Sequence, residues 1–188
     1  QTKKKNETKI KAFKKQENFN KNRDDFFKAG RESLCLCDKN GKWITPKFGP
    51  NNMLKGWENI EWFSISDNKN KNKKFGHYDV FYKGASLNNI KQGGIGDCYF
   101  LSAIGSLTTI PNFIESHFDL EKKEENIYGI MFLINGIWKK VLVDDYFPCN
   151  KKNGFEELSF SSSFQNELWV SLIEKAWAKV NGSYANID

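Results

Sequence analysis

The stretch Gln92-Gly-Gly-Ile-Gly-Asp-Cys-Tyr-Phe100, which runs into the apolar segment Leu101-Ser-Ala-Ile-Gly-Ser-Leu107, decides the fold of this chain. In it a glycine-rich turn gives way to a helix-like segment at Cys98. The first turn of a helix offers unpaired N–H groups and the positive end of the helix dipole, which favour a thiolate over a thiol. The pattern therefore predicts Cys98 as a nucleophile. The alternative is a buried, inert cysteine, which is common for this residue type.

Gln92 lies six residues before Cys98 and carries a side-chain NH2 group that can donate to a carbonyl oxygen. The backbone N–H of Cys98 supplies a second donor, and two such donors form an oxyanion hole. The alternative for Gln92 is a loop-capping role, and the choice depends on Cys98. Gly96 and Tyr99 flank the nucleophile and are predicted to line the substrate cleft.

Periodicity predicts two helices and one hairpin. The apolar residues of segment 98–109 fall at helical spacing, and Pro111 ends that helix. Two β-rich runs, 127–134 and 137–143, flank Asn135-Gly136, a strong hairpin signal. Segment 167–180 has a wide apolar face and predicts a long amphipathic helix.

A short strand is also predicted over residues 78–82, before the glycine-rich loop. Together these patterns favour an α+β fold that is mainly helical, with a central nucleophile helix and a small antiparallel hairpin.

Two further motifs extend the pattern of the glycine-rich loop. They are Trp138-Lys-Lys-Val-Leu-Val-Asp-Asp-Tyr-Phe-Pro148 and Asn166-Glu-Leu-Trp-Val-Ser-Leu-Ile-Glu-Lys-Ala-Trp-Ala-Lys-Val-Asn-Gly-Ser-Tyr184. With segment 92–107 they resemble the calpain family, the intracellular papain-like cysteine proteases classed as calcium-dependent. The resemblance covers roughly residue 75 to the end of the chain. The first seventy residues are similar only loosely, through Pro46, Phe48 and Trp57.

The resemblance implies a domain organisation. Residues 31–188 would form the first, nucleophile-bearing subdomain of a papain-like catalytic core. The polar, basic composition of residues 1–30 predicts an N-terminal arm, either a frayed helix or flexible. The family's histidine and asparagine come from a second catalytic subdomain, which would follow Asp188. His77 and His117 match no family motif, so each is predicted to have a surface or capping role, and this fragment alone is expected to be inactive.

The residues at the family's calcium positions depart from its pattern. The resemblance places the calcium site of this half near Gly84 and at two carboxylates, where this chain has Asn89 and Ala185. Calcium prefers several oxygens with negative charge among them, so calcium binding in this subdomain is expected to be weak or absent. No other metal or cofactor is expected. Leu87 replaces a family arginine, and Tyr99 replaces the usual tryptophan.

Length and charge limit the class of protein. The chain has 188 residues and a formal net charge of +6. It has no apolar run of eighteen residues and no secretory signal at its lysine-rich start, so no transmembrane segment is expected. The lysine-rich runs 3–28 and 68–74 lack interleaved aromatic side chains, which favours a solvated surface over a nucleic-acid site.

Four cysteines occur, and their spacing argues against a disulfide framework. Cys35 and Cys37 are too close to pair without strain, and they lack a second ligand pair for zinc. Asp144 and Asp145 are predicted to cap loops. A reduced, cytoplasmic setting is expected.

The leading prediction is a calpain-like cysteine endopeptidase that makes limited cuts in protein substrates. The alternative is a catalytically silent, calpain-like binding or regulatory module. In addition, the basic arm is a candidate for binding an acidic partner or membrane surface.

Overall fold

The computed structural model describes residues 19–20, 23–35, 57–66, 78–152, 155–164 and 166–188. The α-helices are α1 (Arg31–Leu34), α2 (Cys98–Leu107) and α3 (Trp169–Asn181). The strands are β1 (Phe19–Asn20), β2 (Arg23–Asp24), β3 (Glu61–Ser64), β4 (Ile90–Lys91), β5 (Phe118–Asp119), β6 (Ile127–Ile134), β7 (Ile137–Asp144), β8 (Tyr146–Lys152), β9 (Phe155–Leu158) and β10 (Ser162–Ser163). Five short 3-10 helices complete the described part: Trp57–Asn59, Leu87–Asn89, Glu115–His117, Lys123–Glu125 and Tyr184–Asn186.

The predicted hairpin is confirmed as β6 and β7, which pair antiparallel from Ile127 opposite Asp144 to Ile134 opposite Ile137. Asn135 and Gly136 connect them with φ values of 52° and 75°. Both values lie in the left-handed region that a two-residue hairpin turn requires, and Asn and Gly adopt it most readily. Strand β5 extends the hairpin to a three-stranded sheet.

The expectation of a mainly helical fold is wrong. The described residues contain ten strands in four antiparallel sheets, and β8 is the central strand of the sheet β3-β8-β9. The sequence did not predict β8, because Pro148 lies inside it and a proline argues against a central strand. In the sheet Pro148 lies opposite Trp62, and its carbonyl oxygen accepts from the Ser159 N–H at 2.9 Å. The predicted strand over 78–82 is only a single bridge between Asp79 and Glu167.

Both long helices form where the sequence predicted them, within two or three residues at their ends. Helix α2 begins at Cys98, as expected, and ends at Leu107. Gly182 follows α3 with φ 97° and donates its N–H to the Lys179 carbonyl, as a helix C-cap does.

Helix α3 is buried along most of its length and contributes to two apolar clusters. One cluster joins α3 to the inner face of the β6-β7 hairpin and to α2 through residues such as Leu101, Ile130 and Val141. The second cluster surrounds the C-terminal part of α3 and includes Phe27, Trp57 and Ala185. The predicted amphipathic helix is therefore buried on nearly its whole surface.

Burial of α3 brings charged side chains inside, and each has a partner. Lys175 forms an ion pair with Asp144 and donates to the Tyr146 carbonyl at 2.6 Å. Lys179 pairs with Asp24 at 2.5 Å and donates to the Leu142 carbonyl at 2.7 Å. Burial lowers the pKa of Lys179, and the Asp24 carboxylate opposes this effect.

The segment before α1 packs against the hairpin. The Asp24 N–H donates to Asp144 Oδ2 at 2.7 Å, and Phe27 is buried in the second cluster. These residues lie within the stretch 1–30 that the sequence assigns to an arm. The boundary at residue 30 stays a prediction, and residues 1–18 lie outside the described ranges.

Replacing Lys175 by alanine is expected to lower the free energy of unfolding by about 3–5 kcal/mol, because Asp144 would remain buried without its counter-charge. The matched control is Lys140→Ala. Lys140 pairs with Asp119 at the surface, where an ion pair contributes about 0–1 kcal/mol. Urea unfolding of the two variants and the wild type measures the difference, and equal losses would contradict the role assigned to Lys175.

Candidate active site

Cys98 is the first residue of helix α2, and its side chain is exposed. The preceding residue, Asp97, begins the helix through its carbonyl oxygen, which accepts from Phe100 N at 2.8 Å and Leu101 N at 3.1 Å. As the first helical residue, Cys98 has an N–H without an intrahelical acceptor. The thiol and a free backbone donor are therefore presented together.

The loop before Cys98 is fixed by three hydrogen bonds. Gln92 Nε2 donates to the Ile95 carbonyl at 2.9 Å and closes the loop on itself. The Gly94 N–H donates to the Ser159 carbonyl at 2.9 Å. The Gly96 N–H donates to Asp188 Oδ1 at 2.7 Å. Because an amide NH2 has two hydrogens, Gln92 keeps a second donor after bonding Ile95.

Gly93 is required by a close approach of two backbone segments. A Cβ atom at this position would collide with the carbonyl group of Phe160. Phe160 is itself buried between Trp57 and Tyr184, with ring centroids 5.0 and 4.4 Å away, so the obstructing backbone cannot easily shift. The glycine-rich loop is thereby seated on the segment that follows β9.

Tyr99, predicted to line the cleft, is 55% exposed. Its hydroxyl donates to the Ile187 carbonyl at 3.3 Å and accepts from Trp177 Nε1 at 3.4 Å. Phe100 stacks on the Trp177 ring, with centroids 5.1 Å apart. These contacts orient the wall beside Cys98 from α3 and from the segment after it.

A cleft of about 180 Å³ borders the loop on the side of Gln92. Lys91, Gln92 and Gly93 form one wall, and residues near the end of β9 and in β10 form the other. Cys98 is not among its lining residues. The cleft therefore adjoins the predicted oxyanion donor but does not contain the thiol.

Glu167 is a buried carboxylate that binds donors from several segments, a role that the sequence did not indicate. Its Oε2 accepts from Asn89 Nδ2 at 2.8 Å, Trp169 Nε1 at 3.1 Å and Ser163 Oγ at 3.2 Å, and its Oε1 accepts from Tyr82 N at 2.9 Å. Four donors satisfy this carboxylate without a cation. Glu167 thus ties the loop 82–89 to the start of α3.

The three residues at the predicted calcium positions have different surroundings. Gly84 has φ 87°, and the neighbouring Ala85 N–H donates to Glu115 Oε1 at 2.7 Å. Asn89 is buried, and its amide nitrogen faces Glu167. Ala185 is buried in the second apolar cluster. Within the described ranges, no group of three or more His, Cys, Asp and Glu side chains is arranged to hold a metal.

Leu87, at the position of the family arginine, is exposed and lies near Gly105 of α2, where a Cβ would be 2.5 Å from Leu87 Cδ1. It therefore packs along the outer side of the nucleophile helix.

His117 packs between Phe113 and Trp138, with ring centroids 4.5 and 5.1 Å away. Its Nδ1 lies 2.7 Å from the Phe113 carbonyl oxygen, so it closes a local turn. His77 and Cys37 lie outside the described residues, whereas Cys35 and Cys149 are buried.

Asp144 and Asp145 bind backbone and side-chain donors, in agreement with a structural role. Asp144 Oδ1 accepts from the Tyr146 N–H at 3.1 Å, besides its contacts with Lys175 and Asp24. Asp145 Oδ2 accepts from Ser64 Oγ at 2.8 Å and from the Ser66 N–H at 2.9 Å.

Residues 22–188 match the family model described as calpain family cysteine protease. The chain belongs to the calpain family. It is 38% identical over 128 residues to the calpain-type cysteine protease ADL1 of Oryza sativa subsp. japonica, which covers 68% of this chain and 6% of that protein. It is 35% identical over 157 residues to the calpain of Schistosoma mansoni, covering 78% of this chain and 20% of the relative.

Calpain-8 of Mus musculus is 40% identical over 105 residues, covering 54% of the chain and 14% of that protein. This calpain-family chain thus spans a fifth or less of the length of these three relatives. The predicted resemblance is confirmed.

The sequence interpretation missed four acidic residues around the site: Asp97, Glu167, Glu174 and Asp188. A signal existed for two of them, since Asp97 lies inside the nucleophile motif and Glu174 follows the apolar pair Leu172-Ile173 in the predicted helix. Glu167 and Asp188 gave no such signal, because each acts through contacts with distant segments.

None of the helices in the described ranges has both the length and the apolar composition needed to cross a bilayer.

The Gly93→Ala variant is expected to lose about 1–3 kcal/mol of folding free energy, as overpacking a rigid interior does. Gly105→Ala is the matched control. Its added methyl collides with the end of the exposed Leu87 side chain and makes an ordinary contact with Ile90, and alanine favours a helix interior by up to about 1 kcal/mol. Denaturant unfolding compares the two, and an unaffected Gly93 variant would show that the loop is not seated against Phe160.

Proposed function

We propose that this chain is the nucleophile-bearing half of a calpain-like cysteine endopeptidase that makes limited cuts in protein substrates. The observation that carries the proposal is the placement of an exposed Cys98 at the start of α2, directly after a loop fixed at both ends. An inert structural cysteine would be buried, as Cys35 and Cys149 are. Membership of a cysteine protease family supports the same role.

In the proposed reaction the Cys98 thiolate attacks the carbonyl carbon of a peptide bond. The carbonyl oxygen becomes an oxyanion, which accepts hydrogen bonds from the Cys98 N–H and the Gln92 side chain. The C–N bond then breaks, and the amine leaves with a proton from the general acid. Water hydrolyses the resulting thioester, releasing a carboxylic acid and restoring the thiol.

The general acid and base in this scheme are a histidine, oriented by an asparagine, from a second catalytic subdomain. Gly96 and Tyr99 line the cleft between the two halves. A cytoplasmic setting is part of the proposal, because the free thiol must stay reduced. The fragment alone has no imidazole assigned to Cys98, so its thiol is expected to lack general-base assistance.

In an enzyme that joins this chain to its histidine-bearing half, an epoxide-type cysteine-protease inhibitor is expected to form an adduct on Cys98. Peptide mass mapping locates the adduct, and Cys98→Ser removes it. Gln92→Ala is expected to lower kcat by about 10²–10³-fold, as loss of one oxyanion donor does, because the donor acts only when the oxyanion develops.

Buried Cys35 and Cys149 are internal controls for the labelling. If a folded protein shows no adduct on Cys98 and cleaves no peptide, the catalytically silent binding module becomes the better interpretation. If Gln92→Ala retains full kcat, Gln92 is only a loop cap.

We also propose that calcium does not control this half of the core. The residues present do not fit a calcium site, because the Asn89 amide nitrogen already donates to Glu167 and the Ala185 methyl lies in an apolar cluster. Calcium binding favours anionic oxygen ligands, and neither position offers one. Labelling of Cys98 is therefore expected to proceed equally in calcium and in chelator.

Asn89→Asp is expected to destabilise the protein by about 1–3 kcal/mol or more, because it replaces a donor to Glu167 with a second buried carboxylate. Asn88→Asp is the matched control, since Asn88 is exposed one residue away. Thermal unfolding with calcium and with chelator measures both effects. A wild-type protein that calcium stabilises through this half would contradict the proposal.

A further inference from the structure

Two carboxyl groups lie buried directly behind the nucleophile. Asp97, the residue before Cys98, is 0% exposed, and Glu174 of α3 is 1% exposed. Asp97 occupies the N-cap position of α2, yet its side chain does not cap the helix. The Asp97 and Glu174 side chains are instead neighbours that interact electrostatically.

The pair has few other partners. Both oxygens of Glu174 accept from the Ser161 N–H, at 3.0 and 3.1 Å. In the described part of the chain, no N–H or O–H group of another residue donates to either oxygen of Asp97. A carboxyl pair can form a hydrogen bond only if one member carries a proton, because two carboxylates are both acceptors.

The titratable groups facing the pair offer no positive charge. Asp188, from the segment after α3, adds a third carboxylate, and Tyr184 lies against the pair from the last 3-10 helix. The neighbouring lysines of α3, Lys175 and Lys179, are bound to Asp144 and Asp24. Burial and mutual repulsion raise the pKa of Glu174 well above its ordinary value, and burial likewise raises the pKa of Asp97.

We propose that Asp97 and Glu174 share one proton at neutral pH, and that this hydrogen-bonded pair is a positioning device for the nucleophile. Asp97 is covalently joined to Cys98, and its carbonyl starts α2. Fixing its side chain on α3 fixes the peptide that carries the Cys98 N–H, the proposed oxyanion donor. The positioning role rests on the proposed function, whereas the shared proton does not.

Loss of the shared proton would place two negative charges together in the interior, so the pair would separate and the Cys98 peptide would turn. Because the native pKa of the pair is raised, the folded protein holds a proton that the unfolded chain releases above about pH 4.3. Stability therefore falls as pH rises from that value through the native pKa. The kinetic consequence is a decline of kcat on the alkaline side of that native pKa.

The test uses the complete enzyme and two isosteric variants, Glu174→Gln and Asp97→Asn. Each replaces the shared proton with an amide N–H donor, so each retains the hydrogen bond without a titrating proton. The matched control is Glu125→Gln, which changes an exposed carboxylate. Two variants are used so that a failure of one to fold leaves the other.

The first measurement is infrared difference spectroscopy against wild type at neutral pH. A carbonyl band of a protonated carboxyl is expected in the wild type and in Glu125→Gln, and is expected to be absent from both pair variants. Thermal unfolding as a function of pH is the second measurement. The pair variants are expected to lose less stability than wild type as pH rises.

The third measurement is the pH profile of kcat and KM on a peptide substrate. The pair variants are expected to keep activity at neutral pH and to lack the alkaline decline of the wild type. The alanine side chain of Asp97→Ala cannot form a hydrogen bond. This variant is therefore expected to lower kcat by up to about 10²-fold with little change in KM.

If the wild type and the pair variants have the same infrared spectra and parallel pH profiles, the proposal that Asp97 and Glu174 share a proton is wrong. A confirmed band with unchanged kcat in Asp97→Ala would overturn the positioning role. If the wild-type enzyme cleaves no peptide, the proposed function fails, while the infrared band and the stability profile still decide whether the pair exists.

Discussion

Helix α3 carries Glu174, Lys175 and Lys179 into the interior, where a charged group requires a partner. Each of these side chains joins α3 to a different part of the chain. Lys175 reaches the end of the hairpin at Asp144, and Lys179 reaches Asp24 near the start of the described residues. Glu174 reaches the nucleophile loop at Asp97. The hairpin, the N-terminal segment and the site are therefore all positioned from one helix.

This arrangement makes the site rigid on the side that faces α3. The Ser161 N–H binds Glu174, and the nearby Ser159 and Phe160 backbone supports the glycine-rich loop. A loop of three glycines would be mobile by itself, because glycine has the largest conformational entropy to lose. The glycine-rich loop packs against a segment that is already bound to α3. This contact fixes the conformation of the loop, as an oxyanion hole requires.

The sequence predicted the elements that depend on local pattern, and it did not predict the elements and contacts that depend on distant segments. The hairpin at Asn135, the helix that begins at Cys98 and the family itself followed from turn chemistry, helical spacing and motif order. The β3-β8-β9 sheet did not, because its central strand contains Pro148 and its partners come from remote segments. The role of Glu167 was likewise hidden, since its carboxylate binds donors from a remote segment, such as Asn89 and the Tyr82 N–H.

The carboxylates of the interior are accommodated in different ways, and the difference matters for catalysis. Glu167 has four donors, whereas Asp144 has a lysine. The pair of Asp97 and Glu174 accepts from the Ser161 N–H but has no lysine partner within the described residues, so a shared proton keeps its charge at one negative unit rather than two. The oxyanion that forms beside the Cys98 N–H is itself negative, and a second carboxylate charge behind it would oppose its formation. A neutral partner for Asp97 therefore stabilises the fold and the transition state together, whereas a fully ionised pair would oppose both.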